Sequence, residues 1–292
     1  MVKFINKNKL YFIIVAFLAI TALLFLVNLQ VAKNQPGGAD FLAHWQGTAG
    51  LIRDGIDPYS AEATGQILTA AAENGLVLQE KDIRFDSPLI SMLVYAPVSL
   101  IRDYVVARAI WMTFLEFALI GSGILALLMV PSKKPGWISA ITLLFIIFSV
   151  PSLVSLMQGS SHIIALFLVL LALYTQRNGL TDPAGLLLAL ALIRPDYVYI
   201  LVIFVLAWSI ATKRSNFIWW FMGTLAILIG FTILIVPAWP VQYFLGKINQ
   251  VSVNLVGIPG YLEHVWGSGD IASRLLLAKD ALLILILIFE WM

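Results

Sequence analysis

The sequence predicts an all-α protein: a polytopic transmembrane bundle of about seven to eight spans, with interfacial helices in its first outer loop. Three observations predict it. Of 292 residues, 61% are hydrophobic and 12% are charged, about half the charge of a typical soluble domain. The mean hydropathy is +0.94. The apolar residues also fall into long blocks, and the basic residues between blocks fall on one side. Cysteine is absent, which excludes a disulfide framework and a thiolate metal site. The three histidines, His44, His162 and His264, are too few and too scattered to suggest a metal cage. The net charge of +2 gives no reason to expect a nucleic acid partner, because the charges are segregated by topology.

Crossing the hydrocarbon core takes about 20 apolar residues. Residues 10–29 supply them behind Lys3, Lys7 and Lys9. This block exceeds the ~7–15 residues of a secretory core, and no small-x-small site follows. It reads as an uncleaved anchor with a cytoplasmic N-terminus. Further spans are expected at 107–130, 137–157, 161–175, 183–193, 197–212 and 217–236. The third of these is shorter, and Arg194-Pro195-Asp196 separates 183–193 from 197–212. The last apolar run, 281–292, would rise only about 18 Å as a helix. That suggests a chain that stops mid-helix.

Charge tests this layout. If each block crosses once, the cytoplasmic segments 1–9, 131–136, 176–182 and 213–216 hold Lys3, Lys7, Lys9, Lys133, Lys134, Arg177, Lys213 and Arg214 against Asp182. The loop 33–106 is acidic instead. This is the positive-inside asymmetry, and it favours two crossings turning at Arg194-Pro195-Asp196. One membrane domain, residues 1–292, follows. Its outer loops, 33–106 and 237–280, share a face with Gln158-Gly159-Ser160-Ser161-His162 and Arg194-Pro195-Asp196. The polar residues with chemical potential therefore gather on the outer side.

In the first loop, Phe41, Trp45, Ala49 and Ile52 form a helical stripe. Asp40 is a candidate N-cap and Gly55 a stop, so residues 40–53 read as a helix along the membrane surface. Asp57-Pro58-Tyr59 reads as a turn and residues 60–73 as a second helix. Phe85-Asp86-Ser87-Pro88 leads into 89–101, an apolar run too short to span. It is expected to be re-entrant or interfacial, interrupted by Pro97.

Several motifs then line up. Asp40-Phe41 with Trp45 follows the first span, and Gly55-Ile56-Asp57-Pro58-Tyr59 comes next. Ser87-Pro88-Leu89 opens an apolar run containing Ala96-Pro97. Gln158-Gly159 and Leu192-Ile193-Arg194-Pro195-Asp196 come later. In order and placement this set resembles glycosyltransferase family 87, over about residues 10–240. The family usually shows Lys-Pro-Gln at the position of Arg194-Pro195-Asp196, and Gly-Gln-x-Asn near Gln158-Gly159-Ser160-Ser161. The resemblance implies a GT-C-type bundle in the plasma membrane, its active site on the outer face. It also implies an inverting transfer of a hexose, mannose by family expectation, from a polyprenyl-phosphate sugar to a glycolipid or glycan acceptor. Membrane lipids are the surrounding partner, and no cofactor or metal is expected, since the leaving group is a stable phosphate monoester.

Such a transfer needs a base for the acceptor hydroxyl, cations for the leaving phosphate and a groove for the prenyl chain. The resemblance implies the base role for Asp40; the competing reading is an N-cap. Arg194 is the candidate phosphate ligand, since a guanidinium matches phosphate in a bidentate fork. Its competing reading is a pair with Asp196 or interfacial snorkelling. His264, His44, Asp196 and Gln158 complete the candidate substrate-binding set. His264 also reads as a solvated loop histidine, and His44, one turn from Asp40, as an interfacial ring. Glu116, mid-span, reads as structural. Trp111, Trp219 and Trp220 read as interface-belt residues. Trp239, Tyr243, Tyr261 and Trp266 fall in the second outer loop, where packing or sugar stacking is open to them.

Two other classes stay open. A transporter or flippase would have broken helices at the bilayer midplane in symmetry-related pairs. The pair around Arg194-Pro195-Asp196 has no visible counterpart. An inactive glycosyltransferase-like subunit is the third reading, kept open by the short C-terminus.

Overall fold

A computed structural model describes residues 7–76, 83–130 and 135–250, with the isolated positions 282 and 285. Every regular element among the described residues is helical. Twelve α-helices follow in chain order: α1 (Lys7–Asn34), α2 (Ala39–Asp54), α3 (Ala61–Glu73), α4 (Met92–Ser99), α5 (Tyr104–Met129), α6 (Gly136–Phe148), α7 (Val150–Gln158), α8 (His162–Arg177), α9 (Thr181–Leu190), α10 (Pro195–Ala211), α11 (Ser215–Ile235) and α12 (Trp239–Gln250).

Three of them are long and apolar enough to cross a membrane: α1, α5 and α11. The pair α6–α7, bent by 44°, makes a fourth if it is one span. The expected crossings at 161–175, 183–193 and 197–212 correspond to α8, to α9 with its 3-10 extension, and to α10. Each has 10–17 residues. At 1.5 Å per residue they rise about 15–26 Å, less than a ~30 Å hydrocarbon core. Apart from the isolated positions 282 and 285, the run 281–292 read as a shortened helix lies outside the described residues, as do Tyr261 and Trp266.

The main core gathers α2, α4, α5, α8, α9, α10 and α11 around Phe41, Tyr95, Trp111, Leu115, Leu188 and Phe217. Burying such side chains contributes roughly 1.5–3 kcal/mol each in water. Inside lipid, close packing and hydrogen bonds take over that role. Gly185 shows this: a Cβ there would meet the Phe217 carbonyl oxygen at 2.4 Å. The backbones of α9 and α11 touch at a position only glycine allows. By contrast, α1 packs on α5 and turns the rest of its apolar surface outward. Asn28 anchors it, donating to Thr113 Oγ1 at 3.0 Å and Glu116 Oε2 at 2.9 Å. Glu116 is thus satisfied by a neighbouring helix, as expected for a structural carboxyl.

The helix expected at 40–53 is α2, and Gly55 ends it in the left-handed conformation. Its N-cap, however, is Gly38 at φ 81°, not Asp40. Asp40 lies inside the first turn, so its carboxylate is not used as a cap. The Gly37-Gly38 elbow is gripped from α5. Tyr104 donates to both glycine carbonyls, and buried Arg108 donates to Gln35 O at 2.7 Å.

The second loop helix, 60–73 in sequence, is α3, with Ser60 as its cap. The run 89–101 forms a 3-10 turn, Leu89–Ser91, followed by α4. Most of it is buried, and Pro97 lies within α4 without ending it. Trp111 is not a belt residue: it is 1% exposed, stacks on Tyr95 at 4.5 Å and donates to Gly159 O at 2.8 Å. Trp219 and Trp220 do face outward.

A second, smaller cluster joins α12 to the first loop. Trp239, Tyr243 and Val236 pack on Phe85, Leu89 and Met92.

Candidate active site

Asp40 projects from the first turn of α2 and His44 from the next, on the same side of the helix. Opposite them, Asp86 and Ser87 sit in the turn before Leu89. Arg194 reaches in from the break between the 3-10 turn at Ala191–Ile193 and α10. That break is forced by Pro195, which opens α10 and leaves Arg194 non-helical, at φ −134°. Sequence separations of 108 and 154 residues close here. The Arg194 Nη1 group lies 3.1 Å from Asp86 Oδ1, 3.3 Å from Asp40 Oδ1 and 2.9 Å from Ser87 Oγ.

His44 is fully buried and held on both ring nitrogens. Its Nδ1 is 2.6 Å from the Asp40 carbonyl oxygen and 3.3 Å from Asp40 Oδ1. Both are acceptors, so Nδ1 carries a proton. Its Nε2 is 2.7 Å from Ser87 Oγ and 3.3 Å from Asp86 Oδ1. The ring stacks on Tyr95 at 4.9 Å and 14°.

Lys247 of α12 bridges two carboxylates, 3.4 Å from Asp86 Oδ2 and 3.5 Å from Asp196 Oδ2. Asp196 Oδ1 is 3.8 Å from Arg194 Nε. Arg194 is buried, while the side chains of Asp40, Asp86, Lys247 and Asp196 are 19%, 26%, 26% and 32% exposed. The cluster therefore opens on its carboxylate and lysine side.

Charge explains how these groups titrate. Burial raises the Asp40 carboxyl, but Arg194 and the His44 ring outweigh it and bring it down to about 2. Burial also raises Asp86; Arg194, His44 and Lys247 together hold it far below the carboxylate range. For His44, burial opposes the charge, yet hydrogen bonds and attraction from Asp40 and Asp86 push it up to about 9. Both carboxylates are thus ionised and the imidazole is cationic at neutral pH.

Asp40, His44 and Asp86 place one potential metal-ligand atom each within 4.8 Å of one another. A divalent ion fits poorly among them. Arg194 Nη1 already stands between the two carboxylates, and a guanidinium does not shed its proton.

Of the residues singled out in the sequence, Asp40, His44, Arg194 and Asp196 come together. Gln158 does not join them: it is exposed at the end of α7. His264 lies outside the described residues. The Arg194–Asp196 pair, the competing reading for Arg194, is present as the longest contact in the cluster.

Sequence reasoning missed Asp86, Ser87, Lys247 and Tyr95. Asp86 directly precedes the Ser87-Pro88-Leu89 motif, so its neighbours carried a signal. His162 was noted but not assigned. It is hydrogen-bonded to Ser160 and stacked on Tyr197 at 4.7 Å, and Asp40 and Arg194 are close enough to act on its charge.

No curated protein and no solved structure matches the chain. A family profile does, that of glycosyltransferase family 87, over residues 87–292. This stretch contains Asp86's neighbours Ser87-Pro88-Leu89, Arg194 and Lys247, and begins after Asp40. Covering more than half of the sequence, it shows that the chain belongs to glycosyltransferase family 87.

Proposed function

We propose that this glycosyltransferase moves a hexose, mannose in the first instance, from a polyprenyl-phosphate sugar to a glycolipid or glycan acceptor. The observation that carries the proposal is one geometry. A carboxylate in the first turn of α2 faces a buried guanidinium 154 residues away, at 3.3 Å.

Asp40 is the better base of the two carboxylates that Arg194 touches. It meets Arg194 and His44, whereas Asp86 meets Arg194, His44 and Lys247. Held by Arg194 and His44, Asp40 is ionised but weakly basic. A donor phosphate competes for Arg194. As the guanidinium turns to the phosphate in a charge-assisted pair, Asp40 loses its strongest counter-charge and its basicity rises. The base is thus strengthened by arrival of the donor.

In the transfer, the acceptor O–H proton passes to Asp40 and the acceptor oxygen bonds to the anomeric carbon. The bond from that carbon to the phosphate oxygen breaks on the opposite face, which inverts the centre. Polyprenyl phosphate leaves with its new charge opposite Arg194. His44 stays charged and keeps Asp40 oriented. No divalent cation is required, because the leaving group is already stable.

The GT-C architecture with seven to eight crossings belongs to this reading, as do a single domain, a plasma-membrane location, a cytoplasmic N-terminus and an outer-face site. In that layout α8, α9 and α10 cross as short helices inside the bundle.

The test is transfer of radiolabelled mannose from polyprenyl-phosphate-mannose to a membrane lipid extract, wild type beside Asp40→Asn. The variant should lose about 10²–10⁴-fold in rate while inserting and purifying normally. Equal transfer by the variant refutes the role of Asp40. Movement of the lipid-linked sugar across a liposome membrane without covalent transfer would favour a flippase.

A further inference from the structure

Arg108, on α5, takes no part in the transfer, yet it is a buried cation. It is 1% exposed, and among the described residues no carboxylate pairs with it. Its Nη1 donates to Gln35 O at 2.7 Å and its Nη2 to Met157 O at 3.3 Å, while Nε has no partner. A buried charge costs free energy unless it is paired. An apolar side chain of similar volume is often as stable in such a place, or more so. Stability is therefore a poor reason for an arginine here, and the two carbonyls supply a better one.

They belong to two different breaks in the chain. Gln35 opens the elbow between α1 and α2, and Met157 stands just before the turn between α7 and α8. Arg108 shares one stripe of α5 with Tyr104, four residues before it, and Trp111, three after it. All three reach these breaks. Tyr104 donates to Gly37 O at 2.8 Å and Gly38 O at 3.1 Å, and Trp111 donates to Gly159 O. The seat is tight. A Cβ on Gly38 would meet Tyr104 Oη at 2.7 Å and Arg108 Nε at 2.8 Å, and one on Gly159 would meet Phe41 Cβ at 2.5 Å.

Each break carries one side of the charge cluster. The elbow leads straight into the first turn of α2, which holds Asp40. Gly38 offers that turn no side-chain cap, so the turn depends on what grips it from outside. The α7–α8 turn carries Ser160, which is 2.7 Å from His162 Nδ1. His162 stacks on Tyr197 at 4.7 Å, and the Arg194 guanidinium lies 5.5 Å from the centre of that same ring. Phe41, next to Asp40, rests on Gly159 and closes the link.

We propose that Arg108 and Tyr104 are positioning residues for the charge cluster. By clamping the elbow and the turn to α5, they set where Asp40 stands against His44 and Arg194. Neither touches a reacting atom. The kinetic arm of the test rests on the glycosyltransferase reading of the cluster, and the spectroscopic arm does not.

The experiment uses the full chain in lipid nanodiscs, with ¹⁵N in its histidine rings, as wild type, Arg108→Met and Tyr104→Phe. The chain has three histidines, and His44→Asn identifies the His44 signal by its loss. That ring reports on Asp40 through Nδ1, 2.6 Å from its carbonyl oxygen and 3.3 Å from its carboxylate. Asp86, Ser87, Arg194 and Tyr95 are the other groups facing it. With the first turn released, the ring loses one of two carboxylate partners, and its titration should move down by about one pH unit. The thermal midpoint should stay close to that of wild type. Tyr104→Phe removes a single hydroxyl and decides the matter if Arg108→Met does not fold. A His44 titration unchanged in the variants that fold marks a structural role and overturns the proposal.

In the transfer assay both variants should lower kcat about ten- to a hundredfold with little change in KM, as expected of a misplaced group. Arg108→Lys, which keeps the charge and part of the hydrogen bonding, should restore part of that loss. Normal kcat in a variant whose His44 has moved overturns the positioning role. Wild type that transfers no mannose, beside variants whose His44 moves as stated, upholds the clamp and refutes the donor assignment of the previous section.

Discussion

Removing the guanidinium at the centre should convert the cluster from charge-balanced to self-repelling, and Arg194→Met does this with little change in volume. At an effective dielectric of about 20, a unit pair at 3.1–3.3 Å attracts by roughly 5 kcal/mol. Desolvation of the buried arginine cancels much of that. What the variant adds is the cost of two carboxylates left with His44 as the one cation they share among the described residues. Removing one partner of a buried pair costs about 3–5 kcal/mol. Asp40 and Asp86 keep some water contact, so about 3 kcal/mol is expected at pH 7.

The sign with pH is the diagnostic part. In the wild type both acids titrate below their unfolded value, so their contribution is present above about pH 4 and is lost as pH falls towards 2. In Arg194→Met the largest attraction on both acids is gone while His44 and, for Asp86, Lys247 remain, so their folded pKa values rise towards the unfolded one. The stability that the two acids contribute above about pH 4 shrinks, and the variant loses less than wild type as pH falls from 5 towards 3. The assay is thermal unfolding in detergent followed by tryptophan fluorescence at pH 3, 4, 5 and 7. The midpoint should drop by roughly 6–12 °C at pH 7, at ~2–4 °C per kcal/mol, and the gap from wild type should narrow towards pH 3. A variant as stable as wild type at pH 7, or a gap that does not narrow as pH falls, would refute the reasoning.

His44→Asn should flatten the alkaline limb of the stability profile. The raised imidazole contributes fully below about pH 6.5 and is lost as pH passes about 9, worth up to ~3 kcal/mol; parallel profiles for the two proteins would contradict this. Gly185→Ala should force α9 from α11 and cost about 1–3 kcal/mol, read as a lower unfolding midpoint with the same secondary structure. Trp111→Phe should cost about 1–3 kcal/mol by leaving the Gly159 carbonyl unpaired, again seen in the midpoint. Transfer by the wild type should be unchanged by EDTA after dialysis, because Arg194 occupies the place between the two carboxylates.

The helix of the first loop was legible because its signals are local, although its burial in the main core was not. A stripe at 3.6-residue spacing fixed residues 40–53, and a glycine fixed the end. Asp40 and His44 were legible as a pair for the same reason. Arg194 stood out as a cation at a proline break between apolar runs. Asp86 and Lys247 carried no such mark: one precedes a motif and the other is a single lysine in a mostly apolar stretch. Only the docking of α12 through Trp239 and Tyr243 brings Lys247 to Asp86. The misreading of Trp111 has a physical origin as well. Hydropathy says that a ring lies within a helix of membrane length, but not whether it faces lipid or a neighbouring helix. The length of α8, α9 and α10 is a similar case, since an apolar run of 10–17 residues suits a short crossing and a buried helix equally.

The 154 residues between Asp40 and Arg194 also bear on how such a chain is made. Asp40 and His44 leave the ribosome with the second helix, Arg194 comes after the eighth and ninth, and Lys247 only with the twelfth. Until then the Asp40 carboxylate lacks the guanidinium that it pairs with in the folded protein. No fragment that stops short of α12 holds the whole charge cluster, so an interrupted chain carries carboxylates without the cations that offset them. The cluster is completed by the docking of α12.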